Sequence, residues 1–308
     1  MDIGYAAPLE RAWGRTTLLL FKPFRLAVWL VLGFAAFIGS TGGGFGFTSG
    51  WRGGRDWDDT NPLLWLRHAL QEPFWVAFFI ATGIVLLVIG LVLAWVFARG
   101  AFIFLDDVLT ARIAIVEPWG RFARQGNSLF LWRLGFGFVG LLLAGLVLLF
   151  WLPALQRAWD GTTLDPAVWW PGAMAVLLAI PVFLLLAFVR VLLDHFVVPI
   201  MWAHGLLANE AWRRFLPVLR AHPGPFLVYV LLLIGLAIAI VVATLVFGVF
   251  TCCCGLCVLA IPYVGSVVTL PVTVPLRALG PEFLAQFPGA LPPLPPPSPA
   301  KELPALPA

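Results

Sequence analysis

Long uncharged hydrophobic stretches alternate along the chain with short segments that carry most of its charged residues. A helix needs roughly 20 apolar residues to cross the hydrocarbon core of a bilayer. The pattern therefore predicts an all-α membrane protein with six transmembrane helices. The predicted spans cover residues 23–40, 74–98, 134–155, 169–190, 225–249 and 258–277.

Amphipathic segments precede the first, third and fifth predicted spans. In each segment a Trp-x-Arg triplet follows a glutamate, which is Glu10, Glu117 or Glu210. Tryptophan prefers the membrane interface and arginine pairs with lipid phosphate. The pattern favours three repeats of an interfacial helix plus a two-helix hairpin, although unrelated interfacial helices converge on the same composition. The predicted interfacial anchors are Trp13, Arg15, Trp119, Arg121, Trp212 and Arg214.

The distribution of basic residues predicts the orientation of the chain. With the N-terminus inside, the inner segments hold 15 of the 19 lysines and arginines, whereas the outer loops hold 4. Basic residues concentrate on the cytoplasmic side of membrane proteins. We therefore expect both termini to be cytoplasmic.

Composition leads to the same class of protein. Hydrophobic residues make up 61% of the chain and charged residues 11%, against about 25% charged residues in soluble domains. The net charge of +4 does not indicate a nucleic-acid partner, because the arginines flank apolar spans instead of forming one basic face. The expected partner is the lipid bilayer.

The last 21 residues, 288–308, are rich in proline and follow a predicted membrane domain of residues 1–287. Such a segment is extended or disordered and does not form a packed core. We expect a disordered cytoplasmic tail, and a proline-rich tail is a candidate docking segment for a cytoplasmic protein.

All four cysteines lie in the turn between the fifth and sixth predicted spans. The last two have the C-x-x-C spacing of a redox pair or half a zinc site, and a disulfide would form in an oxidising compartment. Cysteine also serves as a small side chain that fills a tight apolar turn. These alternatives stay open, and no metal or cofactor is predicted. The residues are Cys252, Cys253, Cys254 and Cys257.

A polar cluster follows the fourth predicted span. Arg190 and Asp194 are four residues apart, which allows them to pair on one helical face, and His195 is adjacent. Inside a bilayer such residues would mark an ion path. The span is already long enough before Arg190, so we expect the cluster at the inner headgroups.

The sixth predicted span contains prolines and a glycine that interrupt a regular helix. Broken helices line cavities in transporters, whereas a kinked packing helix is the alternative. The candidate cavity-lining residues are Ser266, Thr269 and Thr273. In the fifth span, a stripe of small residues predicts close contact with another helix. The stripe consists of Gly235, Ala239 and Ala243.

Motifs of common enzymes are absent from the sequence. It contains no H-E-x-x-H, P-loop or G-x-S-x-G motif, and no carboxylate pair lies inside an uncharged span. We expect a protein that is not an enzyme.

The last quarter of the chain carries a family resemblance. The matching residues are Ala211-Trp212, the cysteine cluster, Ile261-Pro262-Tyr263-Val264-Gly265, Leu270-Pro271-Val272, Arg277 and 283–287. This stretch resembles uncharacterised bacterial six-span membrane proteins, and it is similar to the membrane domain ahead of some glycerophosphodiester phosphodiesterases. The resemblance implies a bacterial inner-membrane location. No phosphodiesterase domain follows, so we do not expect that activity.

Two functions are compatible with these patterns. The first is a non-enzymatic helper, scaffold or lipid-interacting protein of the inner membrane. The second is a transporter or channel for a small or lipid-like solute that uses the broken sixth span. A water-accessible cavity beside that span would favour the second hypothesis, and a dry, packed bundle would favour the first.

Overall fold

The computed structural model describes residues 4–40, 71–159, 166–251 and 254–300, and all regular structure in these ranges is helical. The predicted all-α class is therefore confirmed. The helices are α1 (Ala6–Leu20), α2 (Leu26–Ser40), α3 (Pro73–Thr110), α4 (Val116–Arg121), α5 (Ala123–Trp159), α6 (Pro166–Leu192), α7 (Val198–His204), α8 (Ala208–Ala221), α9 (Pro223–Phe250), α10 (Cys254–Ala260), α11 (Pro262–Val268) and α12 (Leu270–Leu284). A π-helical turn, Leu193–Val197, joins α6 to α7.

Four stretches of helix are long and apolar enough to cross a membrane. They contain the second to fifth predicted spans. Little of their apolar surface is buried within the protein, and exposed apolar side chains of this extent require lipid around them. The protein is therefore membrane-embedded. The four stretches are Pro73–Thr110, Ala123–Arg157, Trp169–His204 and Pro223–Phe250.

The prediction of six membrane-spanning helices is wrong for the first and the last span. Helix α2 has 15 residues, which is about 22 Å of helix against a hydrocarbon core of roughly 30 Å. The sixth predicted span is divided among α10, α11 and α12. Pro262 and Pro271 lie in the first turns of α11 and α12. Proline has no N–H to continue a preceding helix, which explains both breaks.

The chain divides into two compact units. The first comprises Met1–Phe47, Trp95–Trp132 and Val189–Ala308, and the second comprises Thr48–Ala94 and Arg133–Phe188. In the second unit, the rings of Trp151 and Trp169 meet edge to face with centroids 5.1 Å apart. Gly172 leaves room for the Trp151 ring, because a Cβ at this glycine would lie 2.7 Å from it.

The core of the first unit is an aromatic cluster that joins the π-helical turn, α8, α9 and α12. Neighbouring ring centroids within it are 4.8–6.0 Å apart, which is the normal range for packed aromatic pairs. All five rings are buried, so their packing holds these elements in place. The cluster consists of Phe196, Phe215, Phe226, Tyr229 and Phe283.

The ends of the chain meet in this unit. Helix α1 packs on α12, and α2 packs on α11 and α12. The π-helical turn also packs on α12, and at this crossing a Cβ on Gly280 would collide with the carbonyl oxygen of His195. A glycine is therefore required for the two backbones to approach this closely.

The three predicted interfacial helices differ in length. Helices α1 and α8 have 15 and 14 residues, whereas α4 has 6. The internal repeat therefore stays a prediction.

Candidate functional site

The basic residues of α1 face a glutamate on α12. Arg15 Nε lies 2.6 Å from Glu282 Oε1, and Arg11 Nε lies 3.1 Å from Glu282 Oε2. Arg15 and Glu282 are each 4% exposed, whereas half of the Arg11 side chain is exposed. We call Arg11, Arg15 and Glu282 the ion cluster.

The Arg15 guanidinium also binds two other segments. Its Nη1 donates to the carbonyl of Leu109 on α3 at 3.3 Å, and its Nη2 donates to the carbonyl of Pro295 at 2.6 Å. The planar fork of an arginine suits several acceptors at once. One buried side chain thus connects α1, α3, α12 and the proline-rich segment.

The proline-rich residues up to 300 lie against the first unit. Besides the contact at Pro295, Arg214 donates to the carbonyl of Gly289 at 3.3 Å. A ring nitrogen of His204 lies 3.4 Å from the carbonyl oxygen of Ala290. Residues 288–300 form no helix or strand, and residues 301–308 of the predicted disordered tail lie outside the described residues.

Our prediction did not include Glu282, although the sequence contained one indication that this residue has a basic partner. Between Glu210 and Glu302 it is the only acidic residue, and a lone acid in an apolar region requires a basic partner. The partner belongs to the opposite end of the chain, so sequence spacing does not identify it.

The predicted polar cluster lies on and beside the π-helical turn. Arg190 Nε is 3.9 Å from Asp194 Oδ2. His195 Nδ1 is 2.9 Å from the Tyr229 hydroxyl, and Arg277 Nη1 donates to the Asp194 carbonyl at 3.4 Å. Single π-helical turns often mark functional positions, but here the side chains of the turn bind other parts of the same unit.

Two further carboxylates are buried in α3. Trp202 Nε1 donates to Asp106 Oδ1 at 2.7 Å, and the Ala114 amide donates to Asp107 Oδ1 at 3.2 Å. Asp107 Oδ2 is buried without a hydrogen-bond partner among the described residues. The second predicted span ends at residue 98, before both residues, because the sequence alone does not show that α3 continues to Thr110.

Two of the predicted interfacial anchors lie inside the protein. Arg15 pairs with Glu282 inside the protein, and Trp212 is 9% exposed and packs on the ring of Trp132. Tertiary contacts therefore replace lipid around both side chains. Trp13 is 53% exposed.

The other anchors have mixed surroundings. Trp119 is partly exposed and packs edge to face on Trp95. The Arg121 guanidinium lies 5.1 Å from the centroid of the Phe122 ring. Arg214 is exposed apart from its bond to the Gly289 carbonyl.

The cysteine turn is described in part. Cys257 lies in α10 and carries an exposed free thiol. Cys254 is the first residue of α10, and Cys252 and Cys253 lie outside the described residues. No group of three or more histidine, cysteine or acidic residues among the described residues is placed to hold a metal ion.

An apolar groove of about 490 Å³ runs between α1, α9 and the helices of the broken sixth span. Leu9 and Trp13 of α1 line one side. On α9 the lining extends from Leu236 to Phe247, and opposite it from Leu259 to Leu279. The small residues Ala239 and Ala243 line this groove and are exposed. They leave open space where the predicted stripe would place another helix.

The threonines of the groove donate to their own helices. Thr244 Oγ1 donates to the Ile240 carbonyl and Thr269 Oγ1 to the Gly265 carbonyl, both at 2.8 Å. Of the three candidate cavity-lining residues, Thr269 lines the groove, and Ser266 and Thr273 lie outside its lining. The groove therefore presents an apolar surface.

Comparison with known proteins shows one family relationship. Residues 6–289 match the family of unknown function DUF7544. No curated protein and no solved structure matches the chain.

Proposed function

The chain belongs to the family of unknown function DUF7544, and we propose that it is a non-enzymatic, lipid-interacting helper or scaffold of the bacterial inner membrane. One observation carries the proposal, namely the orientation of α1. Its basic residues bind Glu282, while Leu9 and Trp13 line an open apolar groove beside the membrane-crossing helix α9.

This arrangement suits contact with lipid for a physical reason. An amphipathic helix at a membrane normally directs its charges to water and its apolar side to the acyl chains. In α1 the Arg15 charge is neutralised by Glu282 inside the protein, whereas Trp13 is exposed, so we expect Trp13 to be the side chain that meets the membrane. Tryptophan is the residue most favoured at the membrane interface.

The finer parts of the proposal rest on the sequence. The positive-inside bias, counted over the predicted loops, supports cytoplasmic termini. The resemblance of the last quarter to the membrane domain ahead of some glycerophosphodiester phosphodiesterases supports a bacterial inner membrane. The proline-rich segment supports a cytoplasmic protein partner. The internal repeat of an interfacial helix and a two-helix hairpin is also part of the proposal.

Lipid-dependent stability tests the proposal. Phospholipid added to delipidated, detergent-solubilised protein should raise its melting temperature, because a ligand that binds the folded state stabilises it by mass action. A short-chain phospholipid with the same headgroup is the control for the headgroup alone. It should leave the melting temperature unchanged.

Two variants of α1 sharpen this test. Trp13→Glu places a charge on the exposed apolar side and should reduce the lipid-dependent rise. Glu10→Gln changes an exposed side chain of the same helix and should preserve it. A melting temperature that does not respond to phospholipid in the unmodified protein would contradict the proposed function.

A transporter or channel is the second candidate, and the division of the sixth predicted span into α10, α11 and α12 favours it. Such broken helices line solute paths in transporters. Proteoliposomes loaded with a small fluorescent anion distinguish the two functions. Release faster than from protein-free vesicles would support a channel for that solute, and equal release would favour the lipid-interacting function.

A further inference from the structure

We infer that the groove between α1, α9 and α12 binds one acyl chain of a membrane phospholipid. This inference rests on the proposed lipid-interacting function and names the ligand and its site. It follows from the length of the groove, the chemistry of its lining and its position on the molecule.

The length of the groove matches one leaflet. From Leu236 to Phe247, α9 advances by about 16 Å. Half of the hydrocarbon core of a bilayer is about 15 Å thick. A transmembrane helix of a partner or of a second copy would need contact along roughly twice that distance, so the groove is the right length for a lipid tail.

The direction of the helices indicates that both walls of the groove extend over this length. Tyr229 on α9 packs on Phe283 of α12, with ring centroids 4.8 Å apart. From that contact, α9 continues to Phe247 while α12 and α11 lead back to Val268. The two walls therefore run antiparallel along the same distance, and α1 closes the end near Leu279, where it packs on α12.

The chemistry of the lining excludes a polar ligand. The hydroxyls of Thr244 and Thr269 already donate to backbone carbonyls, and the other lining side chains are apolar, with Trp13 carrying the remaining polar group. Ligand sites for polar molecules present a few well-placed polar groups. A hydrocarbon tail needs none of them, and the volume of about 490 Å³ is within the range of roughly 300–1,000 Å³ for ligand sites.

Photo-crosslinking tests the inference. The full chain is reconstituted in phosphatidylcholine vesicles that contain a trace of phosphatidylcholine with a diazirine in one acyl chain. After irradiation, the lipid adducts are mapped by mass spectrometry. We expect adducts on the peptides that carry Ala239, Ala243 and Val272.

Paired variants of α9 separate a bound chain from lipid that merely surrounds the helix. Ala239→Phe with Ala243→Phe fills the groove and should remove its adducts. Ile238→Phe with Val242→Phe adds the same rings beside it, at exposed positions outside the lining, and should leave them unchanged. If the first pair does not fold, Ala243→Leu replaces it and should reduce the adducts partly.

The outcomes distinguish this inference from the proposed function. A lipid-dependent rise in melting temperature without groove adducts retains the function and overturns the acyl-chain site. The acyl-chain site is also overturned if the filled variant keeps its adducts, or if a photoreactive amino acid in place of Ala239 crosslinks to residues 41–70 or to a second copy of the chain. No rise and no adducts would overturn both proposals.

Discussion

Arg15 Nε lies 2.6 Å from Glu282 Oε1, and the two residues are 267 positions apart in the chain. Both side chains are buried, so the pair joins the first helix to the last one inside the protein. The charges of two buried ions are costly to separate, because each would remain in a medium of low dielectric constant. The pair therefore constrains how α1 sits on α12.

Removal of the Glu282 charge should destabilise the protein strongly. Glu282→Gln leaves Arg15 as an uncompensated buried charge, and breaking a buried pair costs about 3–5 kcal/mol. Chemical denaturation of the protein in detergent measures the loss in free energy of unfolding. Glu10→Gln, on the exposed side of α1, is the control and should have little effect.

A double substitution tests whether the loss in free energy of unfolding comes from the unpaired charge or from altered packing. Replacement of Arg15 by Met together with Glu282→Leu should recover much of the loss, because an apolar pair of similar volume needs no ionic partner. A double variant as unstable as Glu282→Gln would contradict the assignment of the loss to an unpaired charge.

The close approach at Gly280 should tolerate no side chain. Gly280→Ala places a methyl group against the backbone of His195, and overpacking of this kind costs roughly 1–3 kcal/mol. Gly235→Ala on α9 is the matched control, since a Cβ there meets no atom within 4 Å. A lower melting temperature only for Gly280→Ala is the expected result, and equal melting temperatures would show that the helices can move apart.

Loss of the Tyr229 hydroxyl should weaken the junction between the π-helical turn and α9. Tyr229→Phe removes the partner of His195 Nδ1, and a buried polar group without its partner costs about 1–3 kcal/mol. Tyr263→Phe removes an exposed hydroxyl that donates to the Leu30 carbonyl, so it should cost less. Denaturation midpoints of both variants check the order.

Truncation of the proline-rich segment should affect stability only within residues 288–300. Removal of 288–308 takes away the carbonyl that Arg15 binds at Pro295, and it should lower the melting temperature. Removal of 301–308 keeps the contacts among residues 288–300 and the rest of the described chain, and it should not lower the melting temperature. A stable protein without 288–308 would show that water replaces the Pro295 carbonyl at no cost.

Thiol labelling should locate the turn before α10. In a variant whose only cysteine is Cys257, the exposed thiol should react with a membrane-impermeant maleimide in intact cells, because the arginines of α8 favour an inner start and therefore an outer end for α9. A cysteine-free variant with Glu10→Cys is the control and should react only after permeabilisation. The reverse pattern would invert the proposed topology.

Much of the secondary structure was predictable from local patterns. The second to fifth spans are present as long helices, because the length of an uncharged stretch is visible in the sequence. The breaks at Pro262 and Pro271 were also visible in the sequence as interruptions of the sixth span. Their effect on whether this segment crosses the membrane as one helix was not visible. A proline reveals where a helix is interrupted, whereas neighbouring elements determine how the pieces pack.

The site was less predictable than the fold. Trp13 and Arg15 belong to the same helix and the same Trp-x-Arg triplet, so composition assigned both to the lipid interface. In the structure Trp13 is exposed on the groove and Arg15 is buried against Glu282. Helical periodicity places the two residues on different faces of α1, but nothing near Arg15 in sequence identifies Glu282 as its partner.

By itself, the sequence determined that this is a helical membrane protein. The length and composition of each apolar segment decide whether the hydrophobic effect places it in the bilayer. The tertiary structure decided which charges are neutralised internally and where an open apolar surface remains. Those outcomes depend on contacts such as Arg15 with Glu282. The two residues of such a contact are brought together by the packing of helices that are far apart in sequence. No local sequence pattern identifies which residues will meet.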